Sequence, residues 1–326
     1  MLENIKFIQY NESYNQDIIN LWNEEIGFIF KLESKIFSQK VNNKYLFKEG
    51  SILAFLDNKL VGFIISKVYD NNKNIPKYYD YGWISLFYVG FKYRKQGIGN
   101  YLLVNAEEKL VKYGVKTIQV GSDLENFFPG IPADFDNLTD SFFRKRGYDV
   151  SRYTHDLLKI ITKDDLLEND SLIILSNNKE IIFRYATADD KDILLKFLEK
   201  CFFGRWYDEA YSYFLDNDIV SEYLMAVDGE KVVGFLRVNF GFINKVSYNN
   251  TWKYNFDNNL VGIGPLGVDP EYRGYGIAKH LIMKSLSDAY KHNITKAMID
   301  WTGLMHIYQK YGFQVWKCYA YTMKKM

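Results

Sequence analysis

Two copies of one phrase decide the fold: Tyr-Arg-Lys-Gln-Gly-Ile-Gly at residues 93–99 and Tyr-Arg-Gly-Tyr-Gly-Ile-Ala at residues 272–278. Each copy follows an apolar, strand-like run, at residues 84–89 and 261–268. Each copy also opens an amphipathic run that predicts a helix, at residues 97–113 and 276–292. The sequence therefore predicts two equivalent joints between a strand and a helix.

An anion can bind at such a joint. The first turn of a helix has N–H groups without intrahelical partners, and the aligned peptide dipoles place partial positive charge there. Gly97 and Gly276, each the third residue after an arginine, allow an anion to approach the backbone without meeting a Cβ atom. Arg94 and Arg273 add a fixed positive charge. Both loops are therefore predicted phosphate sites.

The spacing Arg-x-x-Gly-x-Gly/Ala, five residues after the valine that ends each strand, resembles the acyl-CoA pyrophosphate loop of the GNAT acetyltransferases. The resemblance implies acetyl-CoA as the co-substrate. It places the pyrophosphate on Arg273, Gly274, Tyr275, Gly276, Ile277 and Ala278 in the second half, and on Arg94, Gln96, Gly97 and Gly99 in the first. In this family the pantetheine arm pairs with the backbone of the preceding strand, a role that falls on Leu266, Gly267 and Val268, and on Phe87, Tyr88 and Val89.

The internal repeat extends over the whole chain. Matching phrases recur in the same order at offsets of 165 to 179 residues, for example Arg94 with Arg273 and Tyr148 with Phe313. A chain of 326 residues suits two domains of roughly 150 residues each. We predict an N-terminal domain at 1–161, a linker at 162–179 and a C-terminal domain at 180–326. The resemblance implies an α/β (α+β) fold in which each domain has a mixed, mostly antiparallel sheet of six to seven strands flanked by helices.

Hydrophobic periodicity predicts the elements of the second half, and the first half follows the same order with an inserted loop at 129–140. A short strand is also expected at 172–175, inside a linker made of the polar runs 163–171 and 176–180. The predicted elements are strands at 181–185, 223–227, 232–240, 261–268, 296–302, 313–316 and 319–323, and helices at 189–202, 208–215, 276–292 and 304–311.

The charge and composition exclude several classes of protein. With 41 basic and 40 acidic residues the formal net charge is +1, which directs the chain toward neither nucleic acid nor an anionic membrane. No run approaches the ~18–20 apolar residues of a membrane span, and no secretory signal is recognisable, so we expect a cytoplasmic protein. The two cysteines, Cys201 and Cys318, and the four histidines share no metal-ligand spacing, so no metal centre is expected.

A second glycine motif suggests a different cofactor. Residues 262–267 match the dinucleotide fingerprint Gly-x-Gly-x-x-Gly, which requires a helix to open at the glycines. Pro265 and Pro270 interrupt that helix, and the predicted helix begins only near Gly276. A glycine-rich strand that a ligand approaches closely fits these residues better.

Acyl transfer to an amine needs a proton for the departing thiolate. In the family the acid is often a tyrosine four residues before the glycine of Tyr-x-x-x-Gly-Phe, and Tyr308 occupies that place in the second half. The alternative for Tyr308 is packing in an aromatic-rich chain. The first half has Phe143 at the equivalent position, and phenylalanine cannot donate a proton. The C-terminal domain is therefore the predicted catalyst.

The acceptor site is less well defined by sequence. The family usually forms one wall of this site from the loop between the first two helices, here residues 201–207. Arg205 can hold a carboxylate and Trp206 can cover an apolar or cationic group, or both can be part of a surface arginine and core aromatic cluster. Glu222, Asp257 and Asp300 are candidates for the general base. The apolar turn at 127–132 is either a packed loop or a substrate lid.

The resemblance implies an N-acetyltransferase that transfers acetyl from acetyl-CoA to a primary amine of a small molecule or peptide, by direct attack in a ternary complex. Two alternatives stay open. One is a non-catalytic protein that binds or senses acyl-CoA. The other is an acyltransferase with a different acyl donor or an aminoacyl acceptor.

Overall fold

The computed structural model describes residues 2–69, 78–135, 137–169, 173–176, 179–216, 221–241 and 245–326. Contacts between residues divide the chain into two compact units. Unit 1 consists of Met1–His155 together with Trp316–Met326, and unit 2 is Asp156–Val315. The last residues of the sequence therefore belong to the first unit.

Eight helices and fourteen strands lie in the described part of the chain. The helices are α1 (Asn15–Ile26), α2 (Ser34–Val41), α3 (Ile98–Tyr113), α4 (Asn137–Arg144), α5 (Lys191–Phe202), α6 (Arg205–Asp216), α7 (Ile277–Lys291) and α8 (Met305–Gln309). The strands are β1 (Ile5–Gln9), β2 (Ile52–Leu56), β3 (Lys59–Val68), β4 (Tyr81–Val89), β5 (Thr117–Val120), β6 (Ile131–Pro132), β7 (Asp149–Ile160), β8 (Ile173–Ser176), β9 (Lys179–Tyr185), β10 (Tyr223–Asp228), β11 (Lys231–Asn239), β12 (Val261–Val268), β13 (Lys296–Thr302) and β14 (Gln314–Lys325).

The sheet of unit 1 has the order β1-β2-β3-β4-β5-β14-β7, and β6 also pairs with β14. Antiparallel pairing joins β1, β2, β3 and β4, and β4 pairs with β5 in parallel. The core of this unit lies between the sheet and α3. Ile98, Leu102, Ala106 and Leu110 are buried on one face of α3, as their spacing of four residues requires.

Unit 2 repeats this arrangement. Its strands follow the order β13-β12-β11-β10-β9-β8, with antiparallel pairs except for the parallel pair of β12 and β13. Ile277, Leu281 and Ala289 of α7 are buried against the sheet in the main core. A second core on another part of the sheet contains residues of α5, α6, β10 and β11. Each unit is thus a mixed, mostly antiparallel sheet flanked by helices, as predicted.

The predicted elements differ from the structure in two places. Strands at 313–316 and 319–323 were expected, but β14 is one continuous strand, because β6 pairs with it at 319–320 and β5 pairs with it at 322–325. In addition, α6 begins at Arg205 and not at residue 208. The short strand expected at 172–175 is present as β8 at Ile173–Ser176, while residues 170–172, 177 and 178 of the predicted linker lie outside the described residues.

The predicted domain ranges, 1–161 and 180–326, stay a prediction. Contacts divide the chain differently from those ranges, because residues 316–326 complete the sheet of unit 1 and residues 156–161 pack in the core of unit 2. The inserted loop packs tightly against this C-terminal strand at Gly130, since a Cβ atom on Gly130 would overlap the carbonyl oxygen of Ala320.

Gly130→Ala tests whether β14 packs against the inserted loop in unit 1. The added methyl group has no room beside the backbone of Ala320, so we expect a loss of about 1–3 kcal/mol of stability. The measurement is the thermal unfolding midpoint. Gly303→Ala is the matched control, because a Cβ atom there meets no heavy atom within 4 Å. Equal midpoints for the two variants would contradict the pairing of β6 with β14.

Candidate active site

The parallel strands of unit 2 separate soon after they pair. Among the described residues, β12 pairs with β13 at Val261 with Ala297 and at Gly262 with Met298. On its other edge β12 stays paired with β11 as far as Val268, after a register shift between Leu236 and Val238. Beyond Gly262, β12 has no partner strand on this edge among the described residues, and Nδ2 of Asn249 donates to the carbonyl oxygen of Gly264 at 3.2 Å.

The glycine loop of unit 2 lies at the end of this open edge. Gly274 and Gly276 have φ angles of 90° and 79°, so both are in the left-handed region that favours glycine. A Cβ atom on Gly274 would meet nothing within 4 Å, and one on Gly276 would meet only the ring of His280, at 3.5 Å. The backbone of this loop is therefore open to a ligand.

Asp269 fixes the turn that leads into the loop. Its buried carboxylate accepts a hydrogen bond from the backbone N–H of Glu271, at 3.0 Å, and an ion pair from Lys200, at 3.2 Å. Burial raises the pKa of Asp269, but these two contacts and Lys231 outweigh it and leave the pKa below its ordinary value. On α7, Nδ1 of His280 lies 2.9 Å from the carbonyl oxygen of Gly276. The carbonyl accepts, so that nitrogen carries the proton.

Tyr308 lies on α8, immediately after β13. Its side chain is buried, and its ring packs against Phe313 with centroids 6.2 Å apart. Burial, followed by the neighbouring charge of Asp300, raises the pKa of Tyr308 to about 12. The hydroxyl is therefore protonated at neutral pH and can act as a donor.

Arg205 lies between two aromatic rings of unit 2. Its guanidinium is 4.3 Å from the ring centroid of Tyr248 and 4.5 Å from that of Trp301. Its Nε donates to Glu209 across one helical turn, at 2.5 Å. The predicted partner Trp206 instead packs against Phe202, at 5.1 Å, and against Phe235. The structure thus brings Arg205 to the end of β13 and places Trp206 beside a core cluster.

Trp301 has an unusual backbone. Its φ angle is 50°, which is rare for a bulky residue and marks a position held by its surroundings. The buried carboxylate of Asp156 accepts the N–H of Trp301 at 2.9 Å. This contact turns the end of β13, so that Trp301 reaches Arg205 while Asp300 precedes it in the strand.

The three candidate bases have different environments. Oε2 of Glu222 accepts from Arg237, at 2.7 and 2.9 Å, and Oε1 accepts from Asn239, at 2.7 Å. Burial raises the pKa of Glu222 although Arg237 opposes this effect. Both oxygens are therefore already used in a structural network. Asp257 is exposed in a left-handed turn, and Asp300 is the candidate whose charge acts on Tyr308.

Sequence reasoning missed three residues of this site: Asp156, Glu209 and Tyr248. Glu209 stands four residues after Arg205, a spacing that predicts a helical ion pair once α6 is known to begin at Arg205. Asp156 and Tyr248 come close only through the fold, and no local pattern in the sequence distinguishes them.

Unit 1 has the same strand-loop-helix joint with different surroundings. Gly97 and Lys95 have φ angles of 89° and 60°, so Lys95 adopts the left-handed conformation of Gly274 without being glycine. The side chain of Leu2 lies 3.5 Å from the place of a Cβ atom on Gly97. The ring of Phe87 lies 3.4 Å from the equivalent place on Gly99.

The polar residues of the first loop bond to their own backbone. Nε of Arg94 donates to the carbonyl oxygen of Val89 at 3.0 Å, and its guanidinium lies 4.3 Å from the ring centroid of Phe91. The amide of Gln96 donates to the carbonyl oxygen of Lys92 at 3.0 Å. Phe143 takes the place that Tyr308 has in unit 2, and it is buried against Phe87 and Tyr148.

A sheet with a gap between two parallel strands, followed by a glycine loop at a helix N-terminus, defines an acyl-CoA-type transferase fold in each unit. The Acetyltransferase (GNAT) family model matches residues 13–128 and 191–313, which is well over half of the chain. The chain belongs to the GNAT acetyltransferase family, with two copies of the family domain.

Solved structures show the same fold over almost the whole chain. A GCN5-related glucosamine N-acetyltransferase region of a fungal multi-domain GH3 beta-N-acetylglucosaminidase is 21% identical with a TM-score of 0.82; the match covers 98% of this chain and 38% of that one. A GCN5-related N-acetyltransferase from Sphaerobacter thermophilus is 16% identical, with a TM-score of 0.68 and 99% and 96% covered. A tandem GNAT protein from the clavulanic acid biosynthesis pathway is 13% identical, with a TM-score of 0.66 and 98% of both chains covered.

No curated protein matches the sequence. Within the described residues, no helix has the length and apolar character needed to cross a membrane. The same residues contain no group of three or more His, Cys, Asp or Glu side chains placed to hold a metal ion.

Glu222→Gln separates a structural role from a role as base. The change leaves Arg237 buried without its counter-charge, so we expect a loss of about 3–5 kcal/mol in stability. The measurement is thermal unfolding by circular dichroism. Asp257→Asn is the matched control, because asparagine tolerates the left-handed turn at that exposed position. A Glu222→Gln protein that melts like the wild type but no longer turns over would instead assign Glu222 to catalysis.

Proposed function

We propose that this chain is an N-acetyltransferase that transfers acetyl from acetyl-CoA to a primary amine of a small molecule or peptide, and that unit 2 carries the reaction. One combination of features in unit 2 supports the proposal: glycine loop positions that leave room for a ligand, an edge of β12 without a partner strand among the described residues, and the buried hydroxyl of Tyr308 on α8, which keeps its proton at neutral pH. The proposed alternatives, a non-catalytic acyl-CoA sensor or a different acyl donor, become outcomes of the tests below.

The residues of unit 2 fit acetyl-CoA. Gly274 and Gly276 leave space for an anion at the N-terminus of α7, where Arg273 supplies a positive charge. The loop residues Tyr275, Ile277 and Ala278 complete the proposed pyrophosphate site. The backbone of Leu266, Gly267 and Val268 would hold the pantetheine arm, since a strand edge supplies N–H and C=O groups for an added chain.

The proposed reaction has no covalent enzyme intermediate. The amine nitrogen bonds to the thioester carbonyl carbon, the carbon–sulfur bond breaks, and the sulfur leaves with the electron pair. Tyr308 gives its proton to that sulfur, so coenzyme A leaves as a thiol. The attacking amine loses one proton to a base or to water, and the phenolate of Tyr308 takes up a proton before the next turnover.

The acceptor is proposed to lie at the end of β13, where Trp301, Arg205 and Tyr248 form one wall. The fungal relative is described as a glucosamine N-acetyltransferase region, so glucosamine is the first amine that we would test, with other amino sugars, amino acids and short peptides beside it. A cytoplasmic location and the absence of a nucleic-acid partner stay predictions from the sequence.

The loop of unit 2 is tested with a pair of variants that differ only in charge. Gly276→Asp and Gly276→Asn place side chains of equal size at the same left-handed position. Aspartate adds a negative charge beside the pyrophosphate, a repulsion of ~1–4 kcal/mol at close range. We expect calorimetric titration with acetyl-CoA to show binding about 10-fold or more weaker for aspartate than for asparagine. Equal affinities would move the pyrophosphate away from this loop.

Tyr308→Phe tests the general acid. Removing the hydroxyl removes the proton donor, so turnover with acetyl-CoA and the best amine of the panel should fall by about 10-fold or more. The dissociation constant for acetyl-CoA should not change. Since the pKa is raised to about 12, the acid form is lost only as pH rises through that value, and the wild-type rate should not fall through Tyr308 ionisation near neutral pH.

Tyr311→Phe is the control for this variant, because Tyr311 lies three residues further on and is only partly buried. Turnover is followed by release of free thiol. If Tyr308→Phe and Tyr311→Phe keep the wild-type rate, Tyr308 is not the acid. If acetyl-CoA binds but no amine in the panel consumes it, the chain fits the sensor alternative.

A further inference from the structure

The gap between parallel strands is also present in unit 1. There β4 and β5 pair from Tyr81 with Thr117 to Ile84 with Val120. The N–H of Gly121 then donates to the carbonyl oxygen of Ile84 at 2.9 Å, and the two strands separate. This gap corresponds to the one in unit 2 where we place the pantetheine arm.

A segment of the chain itself occupies the gap of unit 1. Residues 121–135, which we call the plug, follow β5 and include β6. Phe128 and Ile131 are 4% exposed, and together with Phe135 they face β4 across a cavity of about 50 Å³. The residues of β4 that line this cavity are Ile84, Ser85, Leu86 and Phe87.

Backbone bonds build the plug into the sheet. Ser122 donates its N–H to the carbonyl oxygen of Phe128 at 2.7 Å and its hydroxyl to that of Pro129 at 2.6 Å. Next, β6 pairs with β14 at Ile131 with Ala320. Each bond closes the plug on itself or on the sheet of unit 1.

Two fully buried lysines fasten the start of the plug. Nζ of Lys67 forms an ion pair with Asp123 at 2.5 Å and donates to two carbonyl oxygens, at 2.9 and 3.2 Å. Nζ of Lys40 donates to the carbonyl oxygen of Asn126 at 2.7 Å. Moving the plug would leave two buried ammonium groups without these partners, which is strongly unfavourable. Buried charges as well as backbone bonds therefore hold the plug in unit 1.

Aromatic rings fill the remaining space. The ring of Phe128 lies 4.9 Å from that of Phe30 and 5.9 Å from that of Trp22, and Phe135 lies 5.7 Å from Phe30. The cavity left between the plug and β4 is about 50 Å³, while a cavity measured in the same way needs roughly 10–15 Å³ to hold one water molecule. The buried hydroxyl of Ser85 lines it without a partner among the described residues. The cavity suits a water molecule and is too small for an acyl-pantetheine arm.

We infer that unit 1 binds no acyl-CoA, because the plug fills its pantetheine slot, and that each chain has a single acyl-CoA site, in unit 2. The single acyl-CoA site in unit 2 rests on the proposed function, whereas the absence of a site in unit 1 rests on the plug. The first loop agrees with it, since Arg94 is bonded to its own strand and Lys95 stands where unit 2 has Gly274.

Calorimetric titration of the full chain with acetyl-CoA tests the count. We expect one site per chain in the wild type, and binding about 10-fold or more weaker at that site in Gly276→Asp. Two sites in the wild type, or one full-affinity site that survives in Gly276→Asp, would overturn the inference. Complete absence of binding in the wild type would reject the proposed function while agreeing with a closed unit 1.

Hydrogen–deuterium exchange tests the plug independently of any binding site in unit 2. The amides of Ser122 and Ala133 donate inside unit 1, to Phe128 and Cys318. We expect slow exchange across residues 121–135, and the same rates with and without saturating acetyl-CoA. Fast exchange of these amides in the free protein, or a change in their rates when acetyl-CoA is added, would show that the plug opens and would overturn the inference.

Discussion

The structure depends on one constraint: in each unit two parallel strands pair for a few residues and then separate. A separated strand leaves backbone N–H and C=O groups along its edge, and such groups need partners. In unit 2 the edge of β12 beyond Gly262 has no partner strand among the described residues, and Nδ2 of Asn249 donates to it at the carbonyl oxygen of Gly264. In unit 1 the gap beyond Ile84 contains the chain's own segment. The two copies of one fold therefore differ chiefly in what fills this gap.

Local sequence was enough to locate the joints. Glycine at positions 97 and 276 predicted a loop that an anion can approach, and both residues have the left-handed backbone that makes glycine necessary. The spacing of apolar residues in α3 and α7 predicted helices that start at those glycines. Tyr308 and Phe143 were distinguished by a four-residue spacing alone. These features depend only on neighbouring residues, so a pattern in the sequence can reveal them.

The parts that could not be predicted depend on contacts between distant residues. Lys40 and Lys67 are fully buried, although lysine is almost always exposed, and their partners lie 56 or more residues away. Asp156 shapes the end of β13 from another strand, and its bond to Trp301 spans 145 residues. Lys317 and Cys318 gave no sign that β14 continues through them, because the partners of β14 come from the inserted loop and from β5. In each case the deciding partner is far away in the sequence.

The two units differ in which residue near α4 or α8 carries a hydroxyl group, and this difference agrees with whether the gap between the parallel strands is filled. In unit 2 Tyr308 has the hydroxyl that we propose as the acid, and Phe313 beside it is apolar. In unit 1 the equivalents are Phe143 and Tyr148. A hydroxyl on Phe143 would be buried beside the plug, where no thiolate would be available as its hydrogen-bond partner. An apolar ring is therefore more stable at this position. The hydroxyl of Tyr148, in contrast, donates to Glu107 at 2.8 Å.

The helix that precedes these residues, α3 in unit 1 and α7 in unit 2, shows a matching difference between a polar and an apolar residue. Glu107 of α3 accepts from Tyr148 and from Lys324, at 2.8 and 3.0 Å, so the buried carboxylate has both a neutral and a charged donor. Its equivalent in α7, at the offset of the two arginines, is Leu286, which packs in the same core as Phe313. Each unit thus pairs polar with polar or apolar with apolar at this contact, because a mixed pair would bury an unsatisfied group. In unit 1 the hydroxyl follows the helix, on Tyr148, and it is bonded to Glu107, which lies 41 positions earlier in the sequence. In unit 2 the hydroxyl is on the helix, at Tyr308, and the equivalents of Tyr148 and Glu107 are both apolar core residues.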